Sequence, residues 1–256
     1  MSKRQKAITT AVWLLLIGSI CVIVFSGYKL KESLQIYAEG DQSYENLKEQ
    51  VRHQESSSSS DDAEDIPPVF IDFEALKKIN SDAAAWLYSP DTIIDYPVMR
   101  AHDYDWYLHH LPDGTYNANG TLFLDYNCPE DFSGGLSIIY GHHMKSGGMF
   151  GSLTEYKEQD YFEEHPYLYL YTEQGSYRID LKYGCVISAG EWRDRAFMYE
   201  VNRKALLSYA SSKTTFESSA EYTDRDRLLV LSTCSYEFDD ARYVVIGILR
   251  PEYGDW

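Results

Sequence analysis

The chain has 256 residues, enough for one domain of ordinary size with additional segments. Its 40 acidic and 23 basic residues give a net charge of −17, which argues against a nucleic acid as partner. The four cysteines show neither the spacing of a zinc or redox motif nor the density of a disulfide scaffold. Because Cys21 lies in an apolar N-terminal run, three cysteines remain, and an odd number leaves at least one thiol free.

The N-terminus predicts a membrane anchor. Residues 7–28 carry no charged side chain, and a helix needs about 20 such residues to cross the hydrocarbon core. Three basic residues lie within residues 1–6, so the positive-inside rule keeps this tail in the cytoplasm and places the rest of the chain outside the cell. The alternatives are a cleaved signal peptide, although no A-x-A pattern ends the run, and a lipoprotein signal ending at Cys21.

Residues 29–65 are expected to connect this anchor to the folded part. Apolar residues recur at helical spacing over residues 30–54, which indicates a helix that is either a stalk or packed on the domain. Gly40 and Asp41 are candidate helix breakers. The polar run at residues 56–65 predicts a solvated linker. The folded domain is therefore predicted to comprise residues 66–256.

This domain is predicted to be mainly β. Turn signals rich in Gly, Pro, Asn and Asp separate eight candidate strands, at residues 85–88, 93–99, 121–125, 136–140, 167–171, 177–188, 228–234 and 243–249. Helices are predicted at residues 73–80, 149–164 and 199–211. Short strands in this number, with few helices, indicate a closed or nearly closed barrel.

The segment LLVLSTC ends an apolar strand in Cys234. A side chain at a strand end can leave the core and face a groove, where a stabilised thiolate would be a nucleophile. The alternative is a buried and inert cysteine. Cys185 lies in mid-strand between apolar neighbours and Cys128 lies on a loop, so neither is expected to act in catalysis.

Two histidines, His142 and His143, follow Gly141 at the end of another apolar strand. A histidine in this position is a candidate acid or base because its pKa lies near neutrality. Neighbouring side chains on an extended chain point to opposite faces, which argues against a metal ion shared by the pair. A solvated pair without a catalytic role is the alternative.

Arg242 opens the last apolar strand, and only residues 235–241 separate it from Cys234. If the two strands pair as an antiparallel hairpin, the guanidinium falls near the sulfur, where it could hydrogen-bond an oxyanion. The alternative is a solvated arginine at a sheet edge. The chain contains no serine-hydrolase elbow, phosphate-binding loop, HExxH motif or dinucleotide fingerprint.

Taken together, the three segments resemble the sortases. That family has a TLxTC-type segment, which here is VLSTC with Val230 in place of the usual threonine. The paired histidines of YGHHM, the serine of LSTC and the helix predicted before the cysteine strand resemble class B. So does the order of the segments FEALKKINSDAAAWLY, DYPVM, DYDWYLHHL and GTLFLDYN, and the resemblance covers about residues 70–249.

The resemblance implies an eight-stranded sortase barrel and cleavage after Thr in a sorting motif near the C-terminus of a secreted protein. Cys234 would form a thioester with the motif, and an amine of a cell-wall peptide or a pilin lysine would resolve it. His142 matches the catalytic histidine because it directly follows the glycine, with His143 as second choice, and Arg242 matches the catalytic arginine. No cofactor and no metal site are expected.

The resemblance also implies a substrate groove. Leu108 and Ser232 match groove positions of class B enzymes, and Thr233 is assigned to the same groove. Tyr104 stands where some members have asparagine, which leaves the motif preference open. The link between Cys234 and the arginine is short for the class, which leaves the loop geometry open.

Two other classes of function remain as alternatives. A cysteine endopeptidase of unrelated fold would have its cysteine at the start of a helix, whereas Cys234 is predicted to end a strand. A membrane-tethered binding module would need no chemistry and would tolerate loss of the cysteine. Within the sortase interpretation, attachment of proteins to the cell wall competes with pilus polymerisation, because the two reactions differ only in the acceptor amine.

Overall fold

The computed structural model describes residues 3–53, 69–194 and 202–254. Two short 3₁₀ helices occupy Trp106–Leu108 and Gly151–Lys157. The other elements are, in chain order, α1 (Lys3–Val51), β1 (Arg52–His53), β2 (Phe70–Ile71), α2 (Phe73–Ile79), β3 (Ala83–Tyr88), β4 (Asp95–Arg100), β5 (Leu122–Leu124), β6 (Leu136–Tyr140), α3 (Gln159–Glu164), β7 (Tyr167–Thr172), β8 (Gly175–Ser188), α4 (Ala189–Asp194), α5 (Arg203–Lys213), β9 (Leu228–Cys234) and β10 (Ala241–Gly254).

Strands β3 to β10 close into a barrel in the order β10–β8–β7–β3–β4–β5–β6–β9. Neighbouring strands are antiparallel except for the pairs β4–β5 and β6–β9, which are parallel. The predicted eight-stranded barrel is confirmed, and each predicted strand overlaps one of these strands. Strands β8 and β10 are longer than predicted because they pair with each other from Ala241 opposite Ser188 to Gly254 opposite Gly175.

The predicted helices are found in part. Helix α2 matches its prediction and is capped by the Asp72 carboxylate, which accepts a hydrogen bond from the Ala75 amide at 2.9 Å. The helix predicted at residues 149–164 is instead a 3₁₀ helix followed by α3, because the backbone at Glu158 is extended and separates the two. Helix α5 begins at Arg203 and ends at Lys213, and residues 199–201 of its prediction lie outside the described part of the chain.

Strand β9 is buried on both of its faces, which explains why its sequence is a continuous apolar run. One face packs inside the barrel, where Leu229 and Leu231 belong to the main core cluster. The other face, with Leu228 and Val230, packs under α5 in a second cluster. Only Cys234 at its end is partly exposed. The strand thus brings the cysteine from the core to the surface at one end of the barrel.

Helix α1 runs unbroken past Gly40 and Asp41, so the predicted break is wrong. Its last three turns pack on the barrel, where Tyr44, Leu47 and Val51 are buried. Of the two alternatives for this segment, the structure therefore shows a helix packed on the domain. Packed residues begin well before residue 66, the predicted start of the domain.

The predicted linker at residues 56–65 lies outside the described part of the chain. The strands on either side of it pair with each other, with Arg52 opposite Ile71 and His53 opposite Phe70. The segment therefore connects two paired strands of the same domain.

The N-terminal part of α1 has a different character. From Trp13 onward the helix is long and apolar enough to cross a membrane, and none of its most apolar window is buried against the protein. Its large apolar side chains are exposed from Trp13 to Tyr28. A continuous exposed apolar surface of this kind is unfavourable in water and favourable in lipid.

Candidate active site

A cleft of about 440 Å³ opens at the end of the barrel where β6 and β9 end and β10 begins. Residues from six separate regions of the chain form its walls. The lining residues are Tyr104, Leu108, Phe123, Tyr140, Gly141, His142, Ala189, Trp192, Ser232, Thr233, Cys234, Asp240 and Arg242. All seven residues predicted for catalysis or substrate binding are among them.

Cys234 and Arg242 are directly paired across the β9–β10 hairpin. Residues paired in this way have their Cβ atoms about 4.5–5.5 Å apart and point to the same face of the sheet. Both side chains are partly exposed. The Arg242 guanidinium contacts only the carbonyl of the preceding Ala241, at 3.2 Å, and no carboxylate of the described residues pairs with it. It is therefore available to an anion that develops beside the sulfur.

His142 reaches the same cleft through the parallel pairing of β6 with β9. The amide of Gly141 donates to the Ser232 carbonyl at 3.2 Å, and the Thr233 hydroxyl donates to the Gly141 carbonyl at 2.9 Å. A Cβ at position 141 would lie 2.4 Å from a Leu122 methyl carbon and 2.7 Å from the Phe150 ring, so a larger residue would have to displace these two buried side chains. The next residue is thereby turned toward the end of β9.

The imidazole of His142 is held by the backbone of Leu108, whose carbonyl lies 2.7 Å from Nε2. Since a carbonyl oxygen can only accept, Nε2 carries a proton, and Nδ1 of the neutral ring is left as the acceptor. Burial lowers the pKa of His142, the hydrogen bond to the Leu108 carbonyl opposes this, and the electrostatic interaction with His109 adds a smaller lowering. A neutral ring at physiological pH can accept the proton of a thiol.

His143 is not among the residues that line the cleft, in contrast to the adjacent His142. Its Nδ1 lies 3.0 Å from the carbonyl of Cys234, and its ring packs edge-on against Tyr236. This contact braces the backbone that carries the cysteine. Across the described residues, no group of three or more His, Cys, Asp or Glu side chains is arranged to hold a metal ion.

The predicted substrate-binding residues differ in what they can offer. The Ser232 hydroxyl is buried and has no hydrogen-bond partner among the described residues, and Ser232 is one of the residues that line the cleft. The Thr233 hydroxyl is already engaged by the Gly141 carbonyl and serves strand pairing. Leu108 contributes its side chain to the wall and its carbonyl to His142.

A buried carboxylate behind the cleft was not anticipated from the sequence. Asp125 is 1% exposed, and its Oδ2 accepts hydrogen bonds from the hydroxyls of Tyr104 at 3.0 Å and Tyr140 at 3.1 Å. Burial and the nearby carboxylate raise the pKa of both phenols. The hydrogen bond to Asp125 and the ring contacts with Tyr126 and Tyr140 therefore hold the Tyr104 ring at the wall of the cleft. The sequence signal for the buried carboxylate is the position of Asp125, an acidic residue directly after the short apolar strand β5.

Cys128 and Cys185, which were not expected to act in catalysis, are not among the residues that line the cleft. Both are free thiols. Burial raises the pKa of Cys128 to about 11 and that of Cys185 to about 12. Neither forms an appreciable thiolate at neutral pH.

Comparison with known proteins agrees with this geometry. The sortase domain model matches residues 87–250, which run from the end of β3 into β10. A sortase B of Listeria monocytogenes is 30% identical over 178 residues, covering 68% of this chain and 72% of the relative. A crystal structure of a Bacillus anthracis protein described as similar to sortase B has a TM-score of 0.70 and 27% identity, covering 85% of this chain and 98% of that one.

A Staphylococcus aureus sortase B, in a structure described as a substrate complex, has a TM-score of 0.64 and 25% identity over 71% of this chain and 85% of that one. The family model matches more than half of this chain, and the matched region contains the strand ends that build the cleft. The closed eight-stranded barrel agrees with these matches. This chain therefore belongs to the sortase family, as a member of the sortase B group.

Proposed function

We propose that this chain is a cysteine transpeptidase that cleaves a C-terminal sorting motif after its threonine and transfers the new carboxyl group to an amine. The observation that carries the proposal is the convergence of Cys234, His142 and Arg242 on one cleft from separate segments of the chain. The similar S. aureus sortase B, in a structure described as a substrate complex, supports the interpretation of this cleft as a substrate site.

In the first half-reaction, the sulfur of Cys234 attacks the carbonyl carbon of the threonine, and the thiol proton passes to His142. The carbonyl electrons move onto oxygen, and the Arg242 guanidinium stabilises the resulting oxyanion. When this intermediate collapses, the C–N bond breaks and His142 returns the proton to the departing amine. The products are a thioester on the cysteine and a released C-terminal peptide.

We assign the proton transfer to Nδ1 of His142. The other ring nitrogen, Nε2, already donates to the Leu108 carbonyl at 2.7 Å. This hydrogen bond selects the tautomer and limits rotation of the ring, so that its free nitrogen keeps one orientation. The Leu108 carbonyl therefore orients the histidine, as a third group does in other pairs of a nucleophile and a histidine base.

The second half-reaction uses the same groups in reverse. An amine attacks the thioester carbon, His142 takes a proton from it, and the Cys234 thiolate leaves and is protonated as the new amide forms. The acceptor is proposed to be an amine of a cell-wall peptide. The apolar lining, with Phe123 and Trp192, favours a held acceptor over bulk water, and holding it beside the thioester raises its effective concentration.

We propose that α1 anchors the enzyme in the cell membrane, with residues 1–6 in the cytoplasm, residues 7–28 across the bilayer and the catalytic domain of residues 66–256 outside the cell. The packed end of α1, from Gly40 to Val51, belongs to this outer part, and only the α1 residues between Tyr28 and Gly40 separate it from the span. The exposed apolar surface from Trp13 to Tyr28 supports the membrane span. The basic residues of the N-terminal tail support the orientation. Proteins carrying the sorting motif and the wall precursor are the expected partners there.

A cleavage screen tests the proposal. The protein is incubated with short threonine-containing peptides of the N-P-x-T-x and x-P-x-T-G types, with and without an added amine. Mass spectrometry should find the acyl group on Cys234, and Cys234→Ala should abolish both cleavage and transfer. Cys128→Ala is the matched control, because that thiol lies outside the cleft, and it should leave the reaction unchanged.

Other outcomes would identify another function. Cleavage without transfer to any amine would indicate an endopeptidase. Transfer to a lysine of a pilin-like protein in preference to a wall peptide would indicate pilus polymerisation. Binding of partners that survives Cys234→Ala, with no acyl-enzyme on any peptide, would indicate a binding module and refute the proposal.

A further inference from the structure

The part of α1 that packs on the barrel lies directly against the segment that holds His142. On the helix, Gly40 and Tyr44 lie on the buried face, one turn apart. On the barrel side, the contact is made by residues 117–121, which precede β5. This contact is separate from the cleft, because none of the residues that form the contact lines the cleft.

The contact depends on two buried asparagines. Asn117 donates from Nδ2 to the Ile36 carbonyl at 2.9 Å. Asn119 is 0% exposed and donates from Nδ2 to the Asp41 carboxylate at 3.0 Å and to the Tyr37 carbonyl at 3.3 Å. Buried amides held in this way fix both position and orientation, because each lost partner would leave a polar group unsatisfied.

The close approach requires a glycine on the helix. A Cβ at Gly40 would lie 2.5 Å from Nδ2 of Asn119 and 2.8 Å from Oδ1 of Asn117. Glycine within a helix costs about 1 kcal/mol of stability relative to alanine. The close packing of α1 on the two asparagines accounts for a glycine at this position in spite of that cost. One turn further along, the Tyr44 hydroxyl donates to the Gly120 carbonyl and lies 2.9 Å from the Thr121 hydroxyl.

From these residues the contact continues to the catalytic histidine through backbone alone. The Thr121 amide donates to the Tyr107 carbonyl at 2.7 Å, and a Cβ at Gly120 would lie 2.7 Å from the Leu108 carbonyl oxygen. That same oxygen accepts the hydrogen bond of His142. Movement of α1 relative to the barrel would therefore move the acceptor that orients the imidazole.

We propose that the barrel-packed part of α1 is a positioning element for His142, acting through residues 117–121 and the Leu108 carbonyl. Because the same helix continues into the apolar N-terminal segment, the anchor and the catalytic histidine are parts of one rigid connection. Gly40, Tyr44 and Asn119 are its positioning residues, and none of them touches substrate. The inference rests on the proposed function only for the role of His142 in proton transfer.

The test compares two glycine substitutions in one helix. Gly40→Ala forces α1 and the two asparagine side chains apart, whichever of them moves, whereas Gly27→Ala, where nothing lies within 4 Å, makes the same change without a neighbour. Both are made in the full chain in detergent with ¹⁵N-labelled histidine. We expect the hydrogen-bonded Nε2–H signal of His142 to persist in wild type and Gly27→Ala and to be lost in Gly40→Ala. The acylation rate of Gly40→Ala should fall about tenfold.

The Nε2–H signal of His142 does not depend on turnover. If the protein is acylated by none of the peptides, the proposed function is refuted, but the comparison of the N–H signals still tests the positioning role of α1. A folded Gly40→Ala protein that keeps the signal would overturn the inference, even if its acylation slows. If Gly40→Ala does not fold, Tyr44→Phe decides. It removes only the hydroxyl and keeps the ring against Tyr96, and an unchanged signal in that variant would equally overturn the inference.

Discussion

Replacing Arg242 by lysine tests the assignment of the oxyanion donor. The register places this arginine directly opposite Cys234, and its guanidinium pairs with no described carboxylate. Lysine keeps the positive charge but loses the planar array of donors and the reach of the guanidinium. Loss of one oxyanion donor costs about 100- to 1000-fold in rate, or about 3–4 kcal/mol of transition-state stabilisation. We expect Arg242→Lys to lower the acylation rate by about 100-fold.

The same substitution should scarcely affect stability, because Arg242 makes a single hydrogen bond within the described part of the chain, at 3.2 Å to the carbonyl of the preceding residue. Arg250→Lys is the matched control on the same strand. Arg250 pairs with Asp180 at 3.4 Å and Asp226 at 3.1 Å, far from the cleft. These ion pairs are partly buried, and Arg250 also donates to the Glu221 carbonyl, so this control should lower the melting temperature while leaving the rate unchanged.

The assay is single-turnover formation of the acyl-enzyme, followed by quenching and mass spectrometry, with KM measured alongside. A fall in rate with little change in KM would agree with an interaction made only in the transition state. An Arg242→Lys rate within about threefold of wild type would refute the role of this side chain as oxyanion donor.

Three further predictions concern the thiols, the strand contact and the histidine. At pH 8, iodoacetamide should modify Cys234 well before Cys128 or Cys185, since burial raises the pKa of those two thiols to about 11 and 12, and equal labelling in a peptide map would contradict this. Thr233→Val leaves a buried carbonyl without its donor and should cost about 1–3 kcal/mol, a drop of several degrees in melting temperature; an unchanged transition would contradict it. An NMR titration of His142 should give a midpoint below 6.5, because burial disfavours the charged ring. The unfolded chain then binds this proton at higher pH than the native state, so His142 destabilises the fold as the pH falls through 6.5; a midpoint at or above 6.5 would contradict this.

Much of the barrel could be predicted from local patterns. Each strand has an apolar run bounded by turn residues, and the hairpin between β9 and β10 follows from two apolar strands joined by a short link. That hairpin alone brings Arg242 to Cys234. The helix predicted at residues 149–164 was partly wrong because composition does not show where the backbone becomes extended, as it does at Glu158.

The packing of α1 could not be decided from the sequence. A helix with a polar surface and a few apolar residues at helical spacing fits both a free stalk and a packed helix. Gly40, read as a helix breaker, is in fact the point where the helix approaches Asn119 most closely. A glycine permits a bend and also permits close contact, and only the presence of a partner across the helix distinguishes the two.

The amino-acid sequence by itself determined the barrel class, the apolar N-terminal segment and the three candidate catalytic residues, because apolar periodicity, turn chemistry and motif order are local properties of the chain. Only the tertiary structure decided the tautomer and environment of His142, the carboxylate of Asp125 behind the two phenols and the contact of α1 with the barrel. Each of these depends on groups that are distant along the chain and meet only when β6 and β9 lie side by side and α1 packs against the residues before β5.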